Sequence, residues 1–240
     1  MKKLLAILLA MTLLLAFTAC NDDGGGISQA EYDRVVDELN RLKEQNNNSG
    51  NGNNNDVNSP YSSVKVSDII QFGGYDWRVL DIQDGKALII SEQVLTKQTY
   101  HSSSTAVTWE TCDLRAYLNG SFYDNTFTIS EKSLIVETRI SNKANPKHGT
   151  PGGIDTIDKV FLLSIEEAEK YFADNSARIA VDKDTGNTSS WWLRSPGSDT
   201  HTAANVNDDG DVGDGGDVYV IGNFVFDNFG GVRPALWLNL

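Results

Sequence analysis

The sequence predicts an α+β domain built on antiparallel sheet, with two to three helices, preceded by a short helix and a disordered linker. Three observations lead there. Short β-rich runs come first, capped helical segments interrupt them, and β-rich runs return at the end. The domain takes residues 61–240, a length that suits one fold with its own core. No internal repeat divides it.

The first element is an address. Lys2 and Lys3 precede an apolar run over residues 4–17, and the small residues Thr18 and Ala19 precede Cys20. These are the parts of a secretory signal, and the run is shorter than the ~20 apolar residues of a membrane span. Small residues directly before Cys20 resemble a bacterial lipobox, with Phe17 bulkier than the aliphatic residue usual there. The resemblance implies that residues 1–19 are removed and that the Cys20 sulfur carries a lipid. The lipidated N-terminus, residues 20–27, would then hold the protein outside the cytoplasm, anchored to the cell membrane or surface. Cys112 is left as the second and last cysteine. A lone cysteine reads as a small buried hydrophobe.

Residues 28–45 predict a helix. Ser28 and Glu31 have capping-box spacing, and Ile27 and Tyr32 are placed for a hydrophobic staple. Tyr32, Val35, Leu39 and Leu42 form a coiled-coil seam of about two heptads, too short to be stable alone, so weak self-association is expected. Residues 46–60, "NNNSGNGNNNDVNSP", are polar and Gly-containing. Such a segment cannot bury enough surface to offset its ordering entropy and reads as a flexible spacer.

In the domain, "DIIQFG", "YDWRVLDIQ" and "KALIISEQ" lie close together with Gly and Asp-Gly between them, a meander pattern. "KVFLLS", "SWWLRS", "DVYVI" and "VRPALWL" supply the later strands. "TWETCDLRAYLNG" predicts a helix with Thr108 as N-cap and Gly120 just past its end. Residues 130–138 predict a second helix. "SIEEAEKYFADN" predicts a third, with Ser164 and Glu167 in capping-box spacing. Arg233 falls between apolar neighbours, so it is expected to be partly buried against an acid or backbone carbonyls. Pro234 needs a position with no ladder N–H.

Enzyme signatures are missing from the sequence. His101, His148 and His201 are scattered in polar stretches, with no HExxH and no partner Cys. There is no GxSxG elbow, and "GDGGD" lacks the Lys-Ser/Thr of a phosphate loop. The net charge is −13, and residues 195–232 hold seven Asp with no Lys or Arg. Nucleic acid is a poor partner for such a face. Asp208, Asp209 and Asp211 raise calcium as an alternative, since Ca²⁺ takes oxygen ligands at short spacing. An EF-hand also needs a Glu at its twelfth position, and no Glu follows Glu169. Turn filling between short strands explains the same residues.

The runs "FGGYDWRVLD", "ALIISE", "TWETCDLRAYLN", "DKVFLLS", "WWLRSPG" and "GGVRPALWLNL" occur in this order. The series resembles a bacterial surface domain, domain of unknown function 6273, over essentially the whole head. That family is similar, more distantly, to the C-type-lectin-like fold of formylglycine-generating enzymes and of the variable proteins of diversity-generating retroelements. The resemblance implies a C-type-lectin-like architecture and a surface location, and no reaction. The paired catalytic cysteines of the formylglycine enzymes have no counterpart here.

Residues 195–232 also contain no Glu, Lys, Gln, Met or Trp, although residues 60–194 use these types 24 times in 135 positions, a rate that predicts about seven in 38. Codons ending in a pyrimidine cannot encode these five types, and retroelement diversification leaves such endings intact. A turn-rich β region disfavours the same types, and the gene's codons decide between the two. Along the stretch, Val218, Val220, Phe224 and Phe226 are expected in the core. Asn205, Asn207, Asp208, Asp209, Asp211, Asp214, Asp217, Tyr219, Asn223, Asp227 and Asn228 are the expected exposed, ligand-binding set. Trp191 and Trp192 should point to opposite faces of a strand. One belongs in the core, and Trp192 could serve as a stacking platform. The expected function is non-enzymatic recognition of an extracellular protein or glycan. The rival readings are an envelope enzyme acting on surface polymer and a structural envelope protein.

Overall fold

The computed structural model describes residues 59–210, the backbone of 223–224, and residues 230–240. They belong to a unit spanning Val57–Leu240. The expected signal peptide, Cys20, the helix over 28–45 and nearly all of the linker lie outside the described residues. So do the "DVYVI" strand, Asp211, Asp214, Asp217, Tyr219, Asp227 and Asn228.

The meander forms as predicted. Strands β1 (Ile69–Phe72), β2 (Tyr75–Gln83) and β3 (Lys86–Ser91) pair antiparallel. Both hairpins close on two residues of positive φ, Gly73-Gly74 and Asp84-Gly85. That conformation matches the twist of the strands it joins. The last strand, β12 (Ala235–Asn239), pairs with β3 and also with β5 (Ile135–Val136), giving the order β1-β2-β3-β12-β5.

A second sheet contains β4 (Thr96–Lys97), β8 (Trp191–Pro196), β9 (Thr202–Val206), β10 (Asn223–Phe224) and β11 (Gly231–Val232), in the order β10-β9-β8-β11-β4. Its pairs are antiparallel except β8 with β11. A two-stranded hairpin, β6 (Thr138–Ile140) with β7 (Thr156–Asp158), stands apart. "VRPALWL" is therefore not one strand. The chain leaves the second sheet after Val232, crosses at Arg233-Pro234 and enters the first sheet at Ala235. The crossing gives Pro234 a place where no ladder N–H is needed, and its carbonyl accepts from Ser91 N at 2.9 Å.

The helices differ in detail from expectation. The "TWETCDLRAYLNG" segment starts as a 3₁₀ turn at Trp109–Thr111, followed by α1 (Asp113–Tyr117). Thr108 makes no side-chain cap, and the Cys112 sulfur accepts from Arg115 N instead. Gly120 does not end the helix. It sits inside a π turn (Leu118–Phe122) that runs into α2 (Tyr123–Thr126). Burial carries the chain past the glycine: Phe122 packs on Phe127, which packs on Phe72 and Trp77.

The helix expected over 130–138 shrinks to α3 (Ile129–Lys132), capped by a Thr128–Glu131 box. Ile135 and Val136 then pair with β12, where β-branched side chains fit. α4 (Ile165–Tyr171) has the predicted Ser164–Glu167 box, and α5 (Asn175–Arg178) was not foreseen. "KVFLLS" is buried from Val160 to Leu163 but joins a sheet only through a Phe161–Ala235 bridge.

Every residue of β8 is buried. Trp191 packs on Phe172, and Trp192 packs edge-on against Tyr100. A strand covered on both faces reads as a continuous apolar run rather than an alternating one, which is how "WWL" reads. Cys112 is buried too, and burial pushes its thiol up to about 12. It stays protonated at neutral pH and lacks the thiolate a nucleophile needs.

Candidate functional site

The acidic stretch follows β9, the chain rejoins the second sheet at β11, and both ends are held. At the exit, Asn205 lies in β9 and is buried, not displayed as expected. β9 is buried along its whole length, and the Asn205 amide reaches Asn207 Oδ1 at 3.0 Å. Asn207 is half-buried, while Asp208 and Asp209 are exposed. Gly210 has φ +76° and sits on the Asn175 carbonyl so closely that no side chain would fit. Arg178, buried at the end of α5, donates to the Gly210 carbonyl at 3.4 Å.

At the return, Gly230 lies flat on the Trp192 indole. Its carbonyl accepts from Gln98 N at 3.1 Å, and Gly231 N donates to the Ser190 carbonyl at 3.0 Å. Trp192 is therefore part of the frame rather than a platform for ligand. It is fully buried, and its indole N–H donates to the Gln98 carbonyl at 2.9 Å. Between the two ends, β10 pairs Asn223 with Ala203 and Phe224 with Thr202. Among the described residues no three His, Cys, Asp or Glu side chains are grouped to hold a metal. Asp208 and Asp209 belong to those residues, and Asp211 does not.

Two further buried arginines support this frame. Arg233 lies between the Phe172 and Trp191 rings and donates to the Ser91 and Glu92 carbonyls. Arg194, in β8, pairs through both terminal nitrogens with Glu167 of α4. It also donates to the Leu162 carbonyl at 2.8 Å and the Ser141 carbonyl at 3.3 Å. Burial by itself would raise the Glu167 pKa. The Arg194 charge and hydrogen bonds, with the Ser164 N–H, outweigh it and hold the carboxyl below its ordinary value. A third buried group, Asp158, accepts from Trp109, Arg115 and Thr156.

Beside the Arg194–Glu167 pair lies a cavity of about 290 Å³, walled by α4, by β6 and the residues after it, and by Trp237 of β12. Sequence reasoning did not find it. Its only sequence signal was Arg194 inside the apolar run of β8. The same signal, a charge among apolar neighbours, did identify Arg233. The cavity was missed because its walls come from segments far apart in the chain.

No curated protein and no solved structure matches the chain. The model of a family described as a domain of unknown function (DUF6273) matches residues 84–240. That span takes in β3 to β12, all three buried arginines and all of the cavity lining. More than half of the sequence is matched, from the turn before β3 to the last residue, and the chain belongs to the DUF6273 family.

Proposed function

We propose that the protein is a lipid-anchored, extracytoplasmic binding protein. Its head recognises an external protein or glycan through residues 195–232 and carries out no reaction. The observation that carries this reading is the contrast between frame and rim. The stretch is clamped at Gly210 and at Gly230-Gly231, where added side chains would strike the frame, while Asp208 and Asp209, just ahead of the first clamp, face solvent. A rigid scaffold displaying polar loop residues is the usual layout of a recognition surface. We further take the head to be C-type-lectin-like. Supporting this, the first and last strands share one sheet, and the acidic stretch departs from and returns to the other.

The anchor is tested by fractionation. Cys20→Ala is expected to release the protein from the membrane and abolish labelling by a fatty-acid analogue. Equal membrane retention of the variant overturns the anchor.

Recognition is tested with glycan and surface-protein arrays. The variant with Asp208, Asp209, Asp211 and Asp214 all changed to Asn is expected to lose array binding, with stability changed by no more than ~0.5 kcal/mol per site. A large fall in Tm for that variant, or for the wild type in EDTA, would make the rim a structural metal site instead. Turnover of a labelled surface polymer, abolished by one Asp→Asn change, would make the head an enzyme.

A further inference from the structure

We propose that the cavity beside α4 is a second binding site, for a hydroxylated carboxylic acid the size of one sugar ring, such as a hexuronic acid. This does not depend on the acidic stretch being a recognition surface. The size of the cavity comes first. At about 290 Å³ it lies at the lower end of small-molecule sites, enough for one ring and too small for a chain of them.

The floor is apolar, made by Leu88, Phe161 and the indole of Trp237. Of the five tryptophans, four are essentially fully buried, and Trp237 alone stays partly exposed. A half-exposed indole flooring a pocket offers its face to the C–H side of a sugar ring.

The charges decide the rest. Three cations, Arg139, Lys143 and Arg194, and two acids, Glu166 and Glu167, line the cavity, a formal balance of +1 in a chain of net charge −13. Glu167 is taken up by Arg194, and Glu166 pairs with Lys143 at 2.7 Å. Arg139 pairs with Asp155, which is not among the lining residues. The Arg139 and Lys143 side chains are 74% and 64% exposed, so their heads can turn onto a ligand at the mouth. A planar guanidinium beside an ammonium suits a carboxylate. Deeper in, the Arg194 Nε–H is buried and has no protein partner. A buried donor left in this state calls for a further partner. The exposed Ser141 supplies a hydroxyl partner.

The full chain, in a detergent without a sugar headgroup, is titrated with galacturonate and glucuronate, and with galactose and glucose as neutral counterparts. Calorimetry reads the binding. Acrylamide quenching of tryptophan fluorescence reads occupancy, because Trp237 is the indole that quencher can reach. The uronates are expected to saturate and to protect the fluorescence. The Arg139→Ala/Lys143→Ala double variant is expected to bind at least about tenfold more weakly. Its Tm should not change, since both side chains are largely in solvent. The proposal is overturned if the neutral sugars bind as well as the acids, if no uronate saturates at millimolar concentration, or if the double variant protects Trp237 as the wild type does.

Discussion

Arg233→Ala is expected to lower the free energy of unfolding by about 3–5 kcal/mol. The side chain is only 2% exposed. Its guanidinium sits 5.2 Å from the Phe172 ring centre and 5.1 Å from that of Trp191, with Nε donating to the Ser91 carbonyl at 2.9 Å. Burial lowers its pKa to about 10, so the charge is retained at neutral pH. The nearby acid, Glu92, is already held by Arg78, and Arg233 keeps the Glu92 carbonyl instead. Truncation would strand the buried Ser91 carbonyl and the half-buried Glu92 carbonyl, at ~1–3 kcal/mol each if water does not reach them, and leave a void beside two aromatic rings.

The position makes the loss global, because Arg233 is the residue at which the chain passes from the second sheet to the first. Urea melts should show a lower midpoint with an unchanged slope, as for a two-state loss of stability. Arg233→Met separates the causes. It restores volume without donors, and should recover part of the loss but not all of it. Full recovery by Met would mean that the arginine contributes bulk alone and that the hydrogen bonds and ring contacts add nothing net.

The parts of the fold legible in the sequence were those set by local chemistry. The Gly-Gly and Asp-Gly turns gave the meander, and Ser164 with Glu167 gave the start of α4. Arg233, a charge between apolar neighbours, gave its own burial. What was not legible depended on distant contacts. Gly120 looked like a helix end, and only the packing of Phe122 and Phe127 on Phe72 and Trp77 carries the chain through it. Trp192 looked available because alternation puts one of two adjacent strand residues outside, but Tyr100 and Gly230 cover its face. Asn205 followed the rule that Asn lies in exposed turns, and it is buried because β9 is covered along its whole length. The cavity was invisible for the same reason: Arg139, Glu167, Arg194 and Trp237 meet only after both sheets have formed.

Gly230→Ala should destabilise the described part of the acidic stretch's frame by about 2–3 kcal/mol. The reason is contact and not backbone strain, since Gly230 is not among the residues of positive φ. A Cβ built there falls on Cε2, Nε1 and Cζ2 of the Trp192 indole, well inside van der Waals contact. The indole cannot swing aside freely: its N–H is tied to the Gln98 carbonyl, and its ring packs against Tyr100 at 5.7 Å. The main chain cannot retreat either, because the Gly230 carbonyl accepts from Gln98 N and Gly231 N is bound to Ser190. One of these bonds must break, and Trp192 must shift with it.

A double-mutant cycle with Trp192→Phe tests this. Phe removes the indole atoms that the new methyl would strike, so Gly230→Ala should cost less in that background, with a coupling of roughly 1 kcal/mol or more. Additive losses would show that the methyl is accommodated elsewhere and that Trp192 does not hold the returning end of the stretch. Coupled losses, with array binding falling in Gly230→Ala while the exposed Asp208 and Asp209 are untouched, would show that the rim recognises its ligand only when its base is seated on the indole.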